Sequence, residues 1–267
     1  IRIMDSTWDR ILLHPTHASV PRLAVSSCLL GNPVRYDGSD KKAETVATAM
    51  AYHCELLPVC PEVEMGMGVP RETIRIEEDD AGNRLLIGND SGTDYTPRLQ
   101  PVLDKRLQEF RELGMSGFIF KARSPSCAPG SYPMPNPHAS DSPEPTYGLF
   151  TAAVRDCFPL LPMIDEEQLQ QHHPRRLFNL RMYAHFRLRQ VFHDGPSTTA
   201  LRAFHAVAGP VYAAMPNCCR ADLEAALEDP RTYCHRLLGC LREANDQEAM
   251  DAAIRFLRKA PPGSLSV

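Results

Sequence analysis

The sequence predicts an α/β protein in which a Rossmann-like, mostly parallel sheet domain is followed by an all-helical domain. Short apolar runs with strand character alternate with helical patterns up to about residue 164, which is typical of parallel sheets with crossover helices. From Asp165 onward no strand-like run of consequence remains, and helical periodicity recurs to the C-terminus. We therefore expect an α/β domain over 1–164 and a helical domain over 165–267.

Three apolar runs in the first domain predict buried strands, with helical or turn patterns between them. These strands are predicted in RLAVSSC, ELLPVC and GFIFKA. KKAETVATAMAYHC predicts a helix between the first two, whereas RETIRIEE and NRLLIG predict a hairpin around the turn residues 79–83. TPRLQPVLDKRLQEFRELG predicts an amphipathic helix, whose core face would carry Leu99, Val102, Leu103, Leu107 and Phe110.

The remaining chain predicts one loop and then only helices. The Pro-rich stretch 124–145 is too polar for regular structure, and TYGLFTAAVRDCF after it predicts a helix. The acidic start of PMIDEEQLQQHH suits a helix N-terminus, which favours a domain boundary there. In the second domain, helical patterns recur in 175–193, 198–214, 220–228, 231–244 and 247–259.

Length and composition bound the class of protein. A chain of 267 residues with 43% hydrophobic content can bury a sizeable core, which excludes global disorder. A net charge of -4 and a pI of about 6.2 exclude an overall basic field for nucleic acid, although a local basic patch would not show in that total. No apolar stretch approaches the roughly 18 residues of a membrane span, and the first 20 residues lack the apolar middle of a signal peptide. We therefore expect a cytoplasmic protein.

Three of the nine cysteines follow closely on predicted strands: Cys28, Cys60 and Cys127. The carboxyl ends of parallel strands line one edge of the sheet, so these thiols could meet there. Buried core cysteines are the alternative for each one singly, but core cysteines have no reason to share an edge. Three thiolates suit an iron-sulfur cluster with one open iron, whereas structural zinc usually has a fourth protein ligand and CxxC pairs, which are absent here.

Six short motifs in a fixed order carry a resemblance to a known family. They are SSCLLG (26–31), VRYDG (34–38), PVCPE (58–62), VPR (69–71), GTD (92–94) with Thr96, and KARSPSC (121–127). Together they resemble the thiouracil desulfidase (TudS) family over roughly residues 20–162. The resemblance implies a Rossmann-like domain with a 4Fe-4S cluster on Cys28, Cys60 and Cys127, and an enzyme that removes sulfur from a thiolated uracil as hydrosulfide. Ala128 departs from the glycine expected there and leaves the ligand itself unchanged.

Two residues are candidates for the proton transfers of such a reaction. Glu62, two residues after a cluster cysteine, could take a proton from water and protonate the ring nitrogen, and the resemblance implies an assisting role for Ser124. Both could instead be structural, as a cap and a turn former. Four further residues could contact the substrate: Arg35, Tyr36, Asp37 and Ser126. The alternative for the first three is a salt bridge that holds the first loop, and the alternative for Ser126 is a turn beside Pro125.

The helical domain resembles the uncharacterised YbgA-like domain that is often fused behind this family, most visibly in RRLFNLRMYAHFRLRQVF. Such fusions look like those that desulfurate 4-thiouridine in tRNA, which makes tRNA the expected partner. Five arginines with interleaved aromatic residues could follow a phosphate backbone, and an Arg-rich face packed on the first domain is the equal alternative. These are Arg175, Arg176, Arg181, Arg187 and Arg189.

Two rival functions stay open from the sequence. One is desulfuration of free thiouracil or another thiolated small molecule, and the other is a non-catalytic iron-sulfur or zinc module with four ligands. The remaining cysteines lie away from every motif and are interpreted as core or surface residues. These are Cys54, Cys157, Cys218, Cys219, Cys234 and Cys240.

Overall fold

The computed structural model describes residues 19–134, 144–192, 195–216 and 219–259, and its centre is a four-stranded parallel sheet. Its strands are β1 (Arg22–Ser26), β2 (Glu55–Val59), β5 (Gly117–Phe120) and β8 (Met163–Asp165), in the order β2-β1-β5-β8. The first three are the predicted strands, and all of β5 is buried, as expected of a strand covered on both faces. The α/β fold class is therefore confirmed, with β8 as an additional strand that the three-residue run MID did not reveal.

Two antiparallel ribbons flank the sheet. The predicted hairpin forms from β3 (Ile74–Glu78) and β4 (Arg84–Gly88). The loop predicted over 124–145 was partly wrong, because β6 (Tyr132–Met134) pairs with β7 (Glu144–Thr146). Pro133 and Pro145 stand opposite each other in this ribbon. Two residues without an N–H are tolerated at a pair that exchanges no main-chain hydrogen bonds, so their presence did not exclude strands.

The described residues also form nine α-helices. They are α1 (Pro61–Glu64), α2 (Thr96–Leu113), α3 (Leu149–Cys157), α4 (His172–Val191), α5 (Thr198–Val207), α6 (Gly209–Ala213), α7 (Cys219–Glu224), α8 (Pro230–Cys240) and α9 (Gln247–Lys259). The α-helix predicted after the first strand is replaced by a short π-helix at Thr45–Met50. Thr45, Val46 and Thr48 are β-branched, and such residues weaken an α-helix. None of the described helices is both long enough and apolar enough to cross a membrane.

Two hydrophobic cores cover the two faces of the sheet. On one face, Ala24, Phe118 and Phe120 pack with α2 and α3. Strand residues of opposite parity, such as Leu23, Val25 and Ile119, pack on the other face with the helices that follow residue 165. The helical region thus shares a core with the sheet, and the division into domains at 164 and 165 stays a prediction.

The arginines of α4 point mainly into the protein. Arg187 and Arg189 are 8% and 1% exposed, and they donate to the carbonyl oxygens of Leu257 and Gly114 respectively. The predicted phosphate contacts of these two residues were therefore wrong, because a guanidinium that is buried against carbonyl oxygens cannot reach a nucleic acid.

The other three arginines of this stretch are also largely engaged. Arg181 donates to the carbonyl oxygen of Leu160, and burial lowers its pKa to about 10. Arg176 binds the two carboxylate oxygens of Asp251 at 2.7 and 2.9 Å. Arg175 is half-buried. Arg176, Arg181, Arg187 and Arg189 thus bind groups of the protein itself. A role of Arg175 in RNA binding stays a prediction.

Candidate functional site

A cavity of about 370 Å³ lies at the carboxyl edge of the sheet. Cys28 reaches it from the turn after β1, Cys60 from the end of β2, and Cys127 from the loop after β5. The structure thus brings the three predicted cysteines to one pocket, as the order of the strands led us to expect. Glu62, Ser124, Arg35 and Tyr36 line the same cavity.

The three thiols are largely removed from water. Burial and the neighbouring Cys60 raise the pKa of Cys28 to about 11, and burial also raises the pKa of Cys60. The pKa of Cys127 is raised well above its usual value by burial first and then by the charge of Glu62. Each thiol is therefore protonated at neutral pH in the protein alone, and a cationic group that binds all three must displace their protons.

The donor set of this pocket fits an iron-sulfur cluster. Among the described residues, no three His, Cys, Asp or Glu side chains come close enough to hold a single metal ion. The thiolates of a cluster bind different iron atoms, so they need to surround a common space rather than meet at one point. Three thiols on the wall of one cavity meet that requirement.

Glu62 is held by three hydrogen bonds on the first turn after Cys60. Its Oε2 accepts from Nε and Nη2 of Arg71 at 3.0 and 2.6 Å, and its Oε1 accepts from the hydroxyl of Ser126 at 3.0 Å. The side chains of Glu62 and Arg71 are only 16% and 4% exposed. A carboxylate with three donors and little access to water has a fixed orientation, which a proton acceptor in a reaction requires.

Two serines before Cys127 have different positions. The hydroxyl oxygen of Ser124 accepts from the main-chain N–H groups of Ser126 and Cys127, at 3.3 and 3.1 Å, so its own proton is available to the pocket. Ser126 is fully buried and does not line the cavity. The structure therefore favours the structural alternative for Ser126, whose hydroxyl donates to Glu62.

The first loop contributes Arg35 and Tyr36 to the pocket, but not Asp37. The Arg35 guanidinium lies 5.4 Å from the centre of the Tyr36 ring, and its Nε lies 3.9 Å from Oδ1 of Asp37. Asp37 also accepts from the main chain and hydroxyl of Ser39 at 3.0 and 2.6 Å. These contacts favour the structural alternative for Asp37, because its carboxylate holds its own loop.

Several neighbours of the site were not recognised in the sequence. Glu64 accepts from the main-chain N–H of Cys60 at 3.0 Å, and Thr151 donates to the carbonyl of Cys127 at 2.7 Å. Gly148 lies so close to the main chain of Ser126 that a Cβ there would be 2.4 Å from it. These residues share no motif or period with the cysteines, so only the fold shows that they support the cysteine loops.

Two cations at the pocket are neutralised by the start of the helical region. Lys121 forms an ion pair with Glu166, and Arg123 forms one with Glu167. In the sequence both carboxylates indicated only a helix start, because their partners stand more than 40 residues away. These pairs connect the floor of the pocket to the segment that follows β8.

The remaining cysteines do not line this cavity. Cys54, Cys157 and Cys234 are buried elsewhere, and Cys240 is half-buried in α8. Cys218 lies outside the described residues, and of Cys219 only the main chain is described.

Comparisons with known proteins place the matched region over the sheet and its loops. Residues 23–166 match the 2-thiouracil desulfurase family. The chain is 33% identical over 112 residues to the uncharacterized protein YbbK of Bacillus subtilis (strain 168), an alignment that covers 40% of this chain and 74% of that protein. A solved structure of a [4Fe-4S]-dependent thiouracil desulfidase, TudS, aligns at 27% identity and a TM-score of 0.44, covering 56% of this chain and 93% of that one.

Proposed function

This chain belongs to the 2-thiouracil desulfurase family, and on that premise we propose that it replaces the sulfur of a thiolated uracil by oxygen and releases hydrosulfide. The observation that carries the proposal is the single cavity lined by Cys28, Cys60 and Cys127 together with Glu62 and Ser124. The reaction is a hydrolysis, in which the carbon-sulfur bond breaks, a bond to the oxygen of water forms, and no electrons are exchanged.

The cofactor that fits this donor set is a 4Fe-4S cluster with three cysteine ligands, which leaves one iron without a protein ligand. Cys28, Cys60 and Cys127 would hold it. When bound, the cluster supplies a soft Lewis acid that polarises a thiocarbonyl group, since sulfur is a soft ligand.

Glu62 is the group that we assign to the proton transfers. Its carboxylate is fixed by Arg71 and Ser126 and lines the cavity, so it can accept a proton from the attacking water and return one to the ring nitrogen. Ser124 can donate its hydroxyl proton into the cavity, because its oxygen already accepts two main-chain hydrogen bonds. By donating this hydrogen bond, Ser124 would orient the attacking water or the thiolated pyrimidine.

A small thiolated pyrimidine is the substrate that the geometry favours. The cavity of about 370 Å³ is within the usual range for small-molecule sites. The sequence instead predicted 4-thiouridine in tRNA, mainly from the resemblance of the helical region to a domain fused behind this family and secondarily from the α4 arginines. Arg187 and Arg189 are buried, so the second observation no longer supports tRNA. A non-catalytic iron-sulfur module is disfavoured because Glu62 lines the same cavity as the cysteines.

The test is sulfide release by anaerobically reconstituted protein from 2-thiouracil, 4-thiouridine and thiolated tRNA. We expect turnover of the small molecules and little of the tRNA, together with about one cluster per chain by iron and sulfide content. Preferential turnover of tRNA would reverse the choice of substrate, and a reconstituted protein that releases no sulfide from any of the three would contradict the proposed activity.

Substitution of Glu62 tests its role. Glu62→Gln preserves the shape of the side chain and removes the proton acceptor, so kcat should fall by about 100-fold or more while cluster content is unchanged. Glu109→Gln is the matched control, because Glu109 lies in α2 and does not line the cavity. Wild-type turnover in Glu62→Gln would exclude Glu62 as the base.

A further inference from the structure

Arg71 lines the cavity and contacts three of the segments that surround it. Its guanidinium binds one oxygen of Glu62 through two nitrogens, and its Nη1 donates to the carbonyl oxygen of Gly68 at 3.0 Å. Its main-chain N–H donates to the carbonyl oxygen of Tyr36 at 2.9 Å. One residue therefore joins the first loop, α1 and the loop before β3.

The contact with Glu62 is asymmetric. Both nitrogens of Arg71 donate to Oε2, whereas Ser126 donates to Oε1. Rotation of the carboxylate would break bonds at both oxygens, so its plane and its direction are fixed. Because the Arg71 side chain is only 4% exposed, water cannot readily replace the guanidinium, and its removal would leave a poorly solvated carboxylate unpaired.

We propose that Arg71 is a positioning residue, which holds the Glu62 carboxylate in its reactive orientation and acts on the reaction only through that carboxylate. This rests on the proposed desulfidase function. Lysine would keep the charge but not the two-nitrogen contact, since an ammonium group lacks the planar fork of a guanidinium. The orientation of Glu62 should therefore depend on arginine itself and not only on a positive charge.

Kinetics of Arg71→Met, Arg71→Lys, Glu62→Gln and the double variant Arg71→Met/Glu62→Gln test the proposal. A misplaced catalytic group typically costs about 100-fold in rate, so kcat of Arg71→Met should fall by about 10- to 100-fold with KM changed less than about threefold. Arg71→Lys should recover only part of that loss. In the Glu62→Gln background, the further change from Arg71→Met should be within about threefold, because the two residues act as one unit.

The matched control is Arg75→Met. Arg75 binds one oxygen of Glu77 through two nitrogens, as Arg71 binds Glu62, but it does not line the cavity. Its kcat should stay within about twofold of wild type, whatever the loss of stability. An equal kcat loss in Arg75→Met, additive losses in the double variant, or a raised KM with unchanged kcat in Arg71→Met would each overturn the proposal.

A second measurement does not depend on activity. In ¹⁵N-labelled protein without cluster, the Arg71 Nε–H should exchange slowly with solvent, and Glu62→Gln should accelerate the exchange whereas Glu109→Gln should not. Fast exchange in the wild type would show that the ion pair does not form and would overturn the positioning role. Slow exchange in a protein that releases no sulfide would contradict the proposed function while leaving the Arg71 contact to Glu62 intact.

Discussion

At the scale of single residues, position at the ends of the strands distinguishes the three cysteines of the pocket from the others. Cys127 and Cys157 are similarly buried, at 7% and 2% exposure, but only Cys127 lines the cavity. Burial by itself therefore does not distinguish a ligand from a core thiol in this chain.

We predict that alanine at any one of Cys28, Cys60 and Cys127 removes most of the cluster, because under the proposed ligation only two protein ligands would remain. Cys157→Ala is the matched control and should keep full iron and sulfide content. The measurement is absorbance with iron and sulfide analysis under anaerobic conditions. Full cluster content in any of the three variants would show that the thiol in question is not a ligand.

The residue scale also shows what sequence reasoning could reach. Cys28, Cys60 and Cys127 were found because each follows a recognisable apolar strand. The partner of Glu62 was not, because Arg71 lies nine residues away on an irregular loop, where no period connects side chains. Arg187 and Arg189 were expected either to contact a phosphate backbone or to belong to an Arg-rich face packed on the first domain, because a helical pattern does not decide which face is buried. In the structure main-chain carbonyl oxygens accept from both inside the protein.

At the scale of elements, the loop that carries Cys127 depends on a close approach by the start of α3. A Cβ on Gly148 would lie 2.4 Å from the main chain of Ser126, so Gly148→Ala must displace one of the two segments. We predict a lower Tm and reduced cluster content. Gly239→Ala in α8 is the control, because nothing lies within 4 Å of the position of its Cβ. There alanine should not lower the Tm, since it is more favourable than glycine in a helix by about 1 kcal/mol. Equal Tm values for the two variants would contradict this account.

The loop between β4 and α2 is organised by one carboxylate. Glu72 accepts from the hydroxyl and N–H of Ser91, from the N–H of Asp90 and from the hydroxyl of Tyr95. The hydrogen bonds from Ser91, followed by that from Tyr95, lower the pKa of Glu72 to about 2. Because the folded pKa lies below the unfolded value, this stabilisation is present above about pH 4.3 and is lost as the pH falls toward 2.

We predict that Glu72→Gln lowers the Tm at pH 7 and makes it less sensitive to acid between pH 4.3 and 2. The effect should be modest, since the site is solvent-accessible. Thermal unfolding at a series of pH values measures it, with Glu77→Gln on the neighbouring strand as control. Parallel Tm profiles for Glu72→Gln and wild type would exclude Glu72 as a source of the acid dependence.

Strands and helices were predicted most successfully where apolar residues recur with a clear period. The α2 core face is an example, since Leu99, Val102, Leu103 and Phe110 are buried and only Leu107 is half-buried. The short strand β8 was missed because three residues show no alternation and the acidic residues after it indicated a helix start. β8 forms a strand because it pairs with β5, and this long-range contact cannot be recognised from the pattern of neighbouring residues.

At the scale of the whole molecule, the helical region acts as the cover of one sheet face. Leu23, Val25 and Ile119 are fully buried and belong to the same core cluster as Phe178 and Leu180 of α4. Removal of the helices would expose these side chains, at a cost of roughly 25 cal/mol for each Å² of apolar surface.

We predict that a chain ending at residue 170 does not form a stable folded monomer, although it contains the whole family match over 23–166. Size-exclusion chromatography and thermal unfolding by circular dichroism measure this against the full chain. A soluble monomer with the Tm of the full chain would instead support an independent α/β domain, which is the division expected from the sequence.

The two complete cores also bear on the order in which the holoprotein is made. The three thiols meet because β1, β2 and β5 are aligned, and apolar residues on both faces of the sheet hold that alignment. In zinc fingers the metal supplies the folding energy, so chain and metal come together in one step. Here we expect the chain to fold without the cluster, because the two cores already hold the strands in place, and to bind the cluster afterwards. On that expectation, a chain that has lost its cluster stays folded and can bind a new one.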